Sequence, residues 1–152
     1  MNTHFLNKRF AHILGFAGLI PFFLLMLASW NVPPDWIGVL MRGQLAYSIA
    51  ILSFLGGIHW GAALVSDHLS IEQTKKVLLW GVVPAIISLF ATTVGGFGFA
   101  VLMAGFIGAY QADKHVFPWY GLPDWFLRMR FILTCAVVAL LALTVIAGNV
   151  RG

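Results

Sequence analysis

Charge is what this sequence has least of. Only 9% of its 152 residues are Asp, Glu, Lys or Arg, where a soluble domain carries about 25%. The five acids are Asp35, Asp67, Glu72, Asp113 and Asp124, and none falls in the middle of an apolar run. A carboxylate-held metal or a paired-carboxylate active site is therefore not expected. Gly-x-Ser-x-Gly, P-loop and His-Glu-x-x-His patterns are all missing, so the chain reads as non-enzymatic and without a metal. No basic run with interleaved aromatics points to nucleic acid. The single cysteine, Cys135, has no partner for an internal disulfide. It lies in an apolar stretch, where it packs as a small hydrophobe.

Apolar residues fill the space that charge leaves. They make up 61% of the chain, and the mean hydropathy is +0.93. A bilayer core of about 30 Å needs about 20 helical residues, and five stretches qualify: about 10–29, 43–64, 77–93, 96–112 and 131–149. The first follows Lys8 and Arg9. It is longer than the core of a signal peptide and is followed by no clear small-x-small cleavage site, so it reads as an anchor. The expected fold is all-α: a five-transmembrane-helix bundle forming one integral membrane domain over 1–152.

Orientation follows from Lys and Arg, which favour the cytoplasmic side. Lys8, Arg9, Lys75, Lys76, Lys114, Arg128 and Arg130 fall on one side of this arrangement, and only Arg42 and Arg151 on the other. The amino terminus is expected inside. Pro-Asp-Trp occurs twice, at Pro34–Trp36 and Pro123–Trp125. Proline suits a first helical turn, aspartate suits the positive end of the helix dipole, and tryptophan prefers the headgroup level. Short interfacial helices are expected in the first and fourth loops.

A second echo is Gly-x-x-Pro, Gly18–Pro21 in the first span and Gly81–Pro84 in the third. Each proline lacks an N–H and disturbs the helix around the residue four earlier. Kinks are expected at Pro21 and Pro84. They are either structural or, as paired interruptions of two parallel hairpins, marks of a transport site.

In the second span, Ala46, Ala50, Ser53, Gly57 and Gly61 share one face. Small residues at this spacing let another helix approach closely. The fourth span offers Gly105 with Ala109 and Ala104 with Gly108, so a tight contact between the second and fourth spans is expected. Gln44, Ser48, Leu52, Leu55 and His59 form the opposite face, whose polar groups would be costly against lipid. That face should be covered by protein.

His59 stands about 9 Å inward of the span's midpoint. The inner ends of the other spans hold Tyr110, Gln111, Asp113, Lys76, Arg128 and Arg130. Four roles compete. The histidine is a structural group bonded to Tyr110, Asp113 or a freed carbonyl; or it helps bind a quinone or lipid headgroup beside aromatics and arginines; or it titrates in proton-linked transport; or it ligates haem with His12. His4, His68 and His115 read as loop or interfacial residues. No cofactor is required by the sequence, and quinone and haem are the two open to it.

Several stretches together resemble a known family. "AYSIAILSFLGGIHWGAAL" (Ala46–Leu64), "GLIPF" (Gly18–Phe22), "LLWGVVPAI" (Leu78–Ile86), Asp113-Lys114 and "PDWFLRMRFILT" (Pro123–Thr134) are similar, in this order, to the transmembrane protein 69-like membrane proteins grouped as domain of unknown function 3429. The resemblance spans most of the chain. It implies a multi-pass protein of the bacterial inner membrane with mitochondrial relatives, and it supplies no activity. It draws attention to His59, Trp60, Gly56, Gly57, Asp113, Arg128 and Arg130.

Two functions are expected, the first favoured because the chain shows no reaction centre and its helix faces are its main surface for partners, the second its alternative. One is a non-catalytic accessory or assembly protein, meeting another membrane protein or a second copy through helix faces within the lipid bilayer. The other is a small-molecule binding protein or small transporter for a quinone, lipid headgroup or solute, with an inner-side site drawn from His59, Trp60, Tyr110, Asp113, Arg128 and Arg130. Helix packing would fall to Ser53, Gly56, Gly57, Gly61, Gly105 and Gly108.

Overall fold

A computed structural model describes the backbone of residues 3–152 and the side chains of residues 8–152; the His4 side chain lies outside that range. Helices α1 (Thr3–Ala17) and α2 (Ile20–Asn31) make the first crossing. A 3-10 turn at Pro34–Trp36 leads into α3 (Ile37–Val65), followed by α4 (Ile71–Ala91), a 3-10 turn at Gly95–Phe97, α5 (Gly98–Tyr120) and α6 (Asp124–Arg151). No strand occurs among the described residues. Five stretches are long and apolar enough to cross a membrane: Lys8–Asn31, Pro34–Val65, Ile71–Ala91, Gly95–Tyr120 and Asp124–Arg151.

Local chemistry sets the helix ends. Ser70 and Gln73 form a reciprocal capping box at the start of α4, which satisfies two N–H groups that the first turn leaves free. Gly121, at φ 71°, closes α5 in the left-handed region, which costs glycine no Cβ clash. Proline stands at the start of both Pro-Asp-Trp segments. These segments run directly into α3 and α6. In the first loop Pro34–Trp36 is a short 3-10 helix continuing into α3, and in the fourth Pro-Asp-Trp opens α6 itself.

The first crossing is two helices rather than one kinked helix. The break falls at Gly18–Leu19, and Pro21 sits in the first turn of α2, where its missing N–H is no loss. The Tyr47 hydroxyl donates to the carbonyl of Gly18 at 2.8 Å, so a polar group freed by the break finds a partner inside the protein. Pro84 lies inside an unbroken α4. The two Gly-x-x-Pro segments thus differ in what they do.

Helix α3 packs against α2, α4, α5 and α6. Its expected protein-covered face is buried throughout: Gln44, Ser48, Leu52, Leu55 and His59. The small face is not. A Cβ on Gly57 or Gly61 would meet nothing within 4 Å, and Ala46 and Ala50 are exposed. The close approach comes one position away, where Gly56 of α3 meets Gly81 of α4, and a Cβ on Gly56 would collide with the Gly81 carbonyl. The tight small-residue seam therefore joins α3 to α4, not α3 to α5. Gly105 does pack closely, with Leu52 and Ile87 within 3.0 Å of where its Cβ would stand, but Gly108 faces open space. Ser53 is half-buried beside the seam.

Candidate functional site

His59 lies six residues from the end of α3, about 9 Å along the helix. Seven residues from the end of α5 is Asp113, and Arg130 is two turns into α6. These helices alternate in direction, so all three side chains meet at the end of the bundle that holds the α3–α4 loop. They are almost fully enclosed: His59 is 2% exposed, Asp113 2% and Arg130 3%.

A chain of hydrogen bonds joins them. His59 Nε2 is 2.7 Å from Asp113 Oδ1. Arg130 Nε donates to Asp113 Oδ2 at 2.7 Å, and Arg130 Nη1 donates to Thr134 Oγ1 at 3.2 Å. His59 Nδ1 is 2.9 Å from the Tyr120 hydroxyl. An ionised carboxylate only accepts, so Nε2 carries the ring hydrogen. In the neutral imidazole Nδ1 then accepts from Tyr120, while Nη2 of Arg130 is buried with no hydrogen-bond partner among the described residues. Phe117, buried at 2% exposure, lies beside both rings with its centroid 6.0 Å from His59. A buried ion pair of this kind adds little net stability, because desolvation offsets attraction, but losing one partner is expensive.

The His59–Asp113 pair forms the floor of a cleft of about 910 Å³ between α4 and α5. Its deeper walls are apolar: Leu55, Val83, Pro84, Ile87, Gly105 and Ala109. Toward the loop end it is flanked by Trp80 and Trp119, with Lys76, Gln111 and His115 at the mouth. A cleft of this size with mostly apolar walls and few polar groups is the usual form of a small-molecule site.

The other expected site residues lie elsewhere. Trp60 points outward from α3 and donates from Nε1 to the Leu78 carbonyl at 3.0 Å, its indole filling the space over Gly81. Tyr110 packs on Phe131 with ring centroids 5.4 Å apart. With Arg128 it lines a separate hollow of about 580 Å³ between α5 and α6. Trp60, Tyr110 and Arg128 therefore do not join His59. The ring of His12 stacks on Trp125 and bonds the Lys8 carbonyl, and it shares no contact with His59. His68 bonds the Trp119 carbonyl at 3.1 Å. The described residues contain no group of three or more His, Cys, Asp or Glu arranged to hold a metal ion.

Two members of the site were not foreseen. Tyr120 sits past the expected end of the fourth span, and Thr134 was read only as part of an apolar run. Thr134 had a signal, since it stands four residues after Arg130 and so on the same helix face. The burial of Gln44 is as expected, but its partners are new. At the opposite end of the bundle Gln44 donates to the Phe22 carbonyl at 3.1 Å and to Thr144 at 3.0 Å. Arg151 there donates to the carbonyls of Ser29 and Val32, capping the end of α2.

Comparison with known proteins gives relatives in animals. The chain is 34% identical over 141 residues to "Transmembrane protein 69" of Xenopus tropicalis, covering 90% of this chain and 54% of that protein. It is 29% identical over 145 residues to the protein of the same name in Mus musculus, covering 88% and 54%. The chain thus spans about half the length of the curated relatives it matches. No solved structure matches it. The family model described as "Protein of unknown function (DUF3429)" matches residues 7–146, and the chain belongs to that family of multi-pass membrane proteins.

Proposed function

We propose that this protein binds one small amphiphilic molecule taken laterally from the bilayer into the α4–α5 cleft, with its polar end at His59 and Asp113. The observation that carries this reading is the buried His59–Asp113–Arg130 chain forming the floor of a cleft otherwise walled by apolar side chains. Ionisable groups inside a membrane bundle are costly and usually serve a pathway or a ligand. The bias of Lys and Arg supports an orientation with the amino terminus and the cleft floor on the inner side, in what this reading takes to be a bacterial inner membrane.

The accessory or assembly role is a second reading, favoured by one observation. Ala46, Ala50, Gly57 and Gly61 line an exposed face of α3, a surface that another helix could approach closely. Its partner would be another membrane protein or a second copy of this chain.

Gly108→Phe separates the two readings. Gly108 lines the cleft, and a Cβ there meets nothing within 4 Å, so a phenyl ring can start into the cleft without a backbone clash; a thermal melt of the variant checks that the fold is kept. Native mass spectrometry of protein released gently from its own membrane should show a persistent small-molecule mass in the wild type that is lost in Gly108→Phe. A stoichiometric protein partner, unaffected by Gly108→Phe and with no small molecule present, would establish the second reading instead.

A further inference from the structure

The floor of the cleft has acceptor positions to spare on Asp113, and the unpartnered donor beside it, Nη2 of Arg130, belongs to a residue that does not line the cleft. From this we infer that its ligand is an uncharged amphiphile presenting a hydroxyl, held by an O–H donated to Asp113. The inference rests on the binding reading above and specifies the chemistry of the ligand.

The carboxylate of Asp113 lines the cleft and offers about four lone-pair directions. Two are occupied, by His59 Nε2 and Arg130 Nε. Both ring nitrogens of His59 are committed, Nε2 to Asp113 and Nδ1 to Tyr120, whether Nδ1 accepts or donates. Arg130 bonds Asp113 through Nε and is not among the residues lining the cleft, so its unpartnered Nη2 is not presented to a ligand there. A quinone, ester or free carboxylate would bring lone pairs to a surface that already presents them. An ammonium could donate, but Lys76 at the cleft mouth opposes a cation. A neutral hydroxyl meets neither objection. The apolar wall from Leu55 to Ile87 takes the tail, and Trp80 and Trp119 flank the entrance.

Such a hydroxyl has two natural sources in a membrane, a hydroquinone head or a lipid alcohol, and matched probes distinguish them. The full chain in phosphatidylcholine nanodiscs is titrated by native mass spectrometry with a short-chain hydroquinone and its quinone, and with dodecanol and its methyl ether. The hydroxyl member of at least one pair should bind ~10- to 100-fold more tightly, the range for a hydrogen bond to a charged group. Gly108→Phe should abolish that binding. A preference confined to the hydroquinone pair identifies a ring ligand, and one that includes dodecanol identifies a lipid alcohol. Equal or tighter binding of the quinone and the ether overturns the donor inference while leaving the cleft reading intact. Absence of binding by all four probes, from protein carrying no retained small molecule, overturns both.

Discussion

Two adjacent glycines in α3 should respond oppositely to the same added methyl group. A Cβ on Gly56 would fall against the backbone carbonyl of Gly81, with Pro84 Cγ at 3.2 Å. Neither neighbour is the loose end of a flexible side chain, so α3 and α4 must separate by roughly 1 Å. A gap of that size forfeits a quarter to a half of the dispersion energy of each contact across it. Overpacking costs about 3 kcal/mol when the neighbour is this rigid, and the helix preference of alanine over glycine returns about 1 kcal/mol. Gly56→Ala should therefore lose about 2 kcal/mol, where the figures combine overpacking and propensity. At Gly57 nothing lies within 4 Å, so Gly57→Ala keeps the propensity gain and is neutral or stabilising by up to about 1 kcal/mol. Reversible unfolding of each variant in mixed micelles, followed by circular dichroism, measures the difference. Equal stability of the two variants, or a larger loss at Gly57, would refute the placement of the α3–α4 seam.

Other perturbations test the polar groups. Asp113→Leu leaves the Arg130 guanidinium buried without its counter-ion and should cost about 3–5 kcal/mol, while adding Arg130→Met should restore much of the loss; thermal melts of the single and double variants check this. Tyr47→Phe removes the donor to the Gly18 carbonyl and should cost about 1 kcal/mol, with faster amide exchange at the α1–α2 break. Arg151→Gln should loosen the end of α2 by about 1 kcal/mol, seen as faster exchange of the amides near Ser29 and Val32, because Arg151 bonds both carbonyls.

The crossing segments were legible because apolar length is a property of the sequence itself. The buried face of α3 was legible for a similar reason, since Gln44, Ser48 and His59 recur at helical spacing within an apolar run. The ends of the helices were harder to read. The fourth span was expected to stop before Asp113 because a charge usually marks the membrane surface, yet α5 continues to Tyr120. His59 and Arg130 supply the partners that let Asp113 lie inside, and they come from two other helices, so spacing along α5 carries no trace of them. Gly56 and Gly57 were both expected to pack, and only Gly56 does. Both are glycines on one turn, and only the position of Gly81 on α4 decides which of them is crossed. Trp60 and Arg128 looked like site residues by proximity in sequence, but they stand one residue from His59 and two from Arg130, and at 3.6 residues per turn that offset directs each to another face of its helix.

If the α4–α5 cleft holds a small molecule and the outward face of α3 does not, photo-crosslinking in the native membrane will separate the two, with a photoreactive residue placed at position 108 in one variant and at position 57 in another. Both sites have open space around Cβ, so both variants should fold. A lipid-sized adduct is expected at position 108 and none at position 57. A protein-sized adduct at position 108, or the same small adduct at both positions, would rule out a ligand held in the cleft.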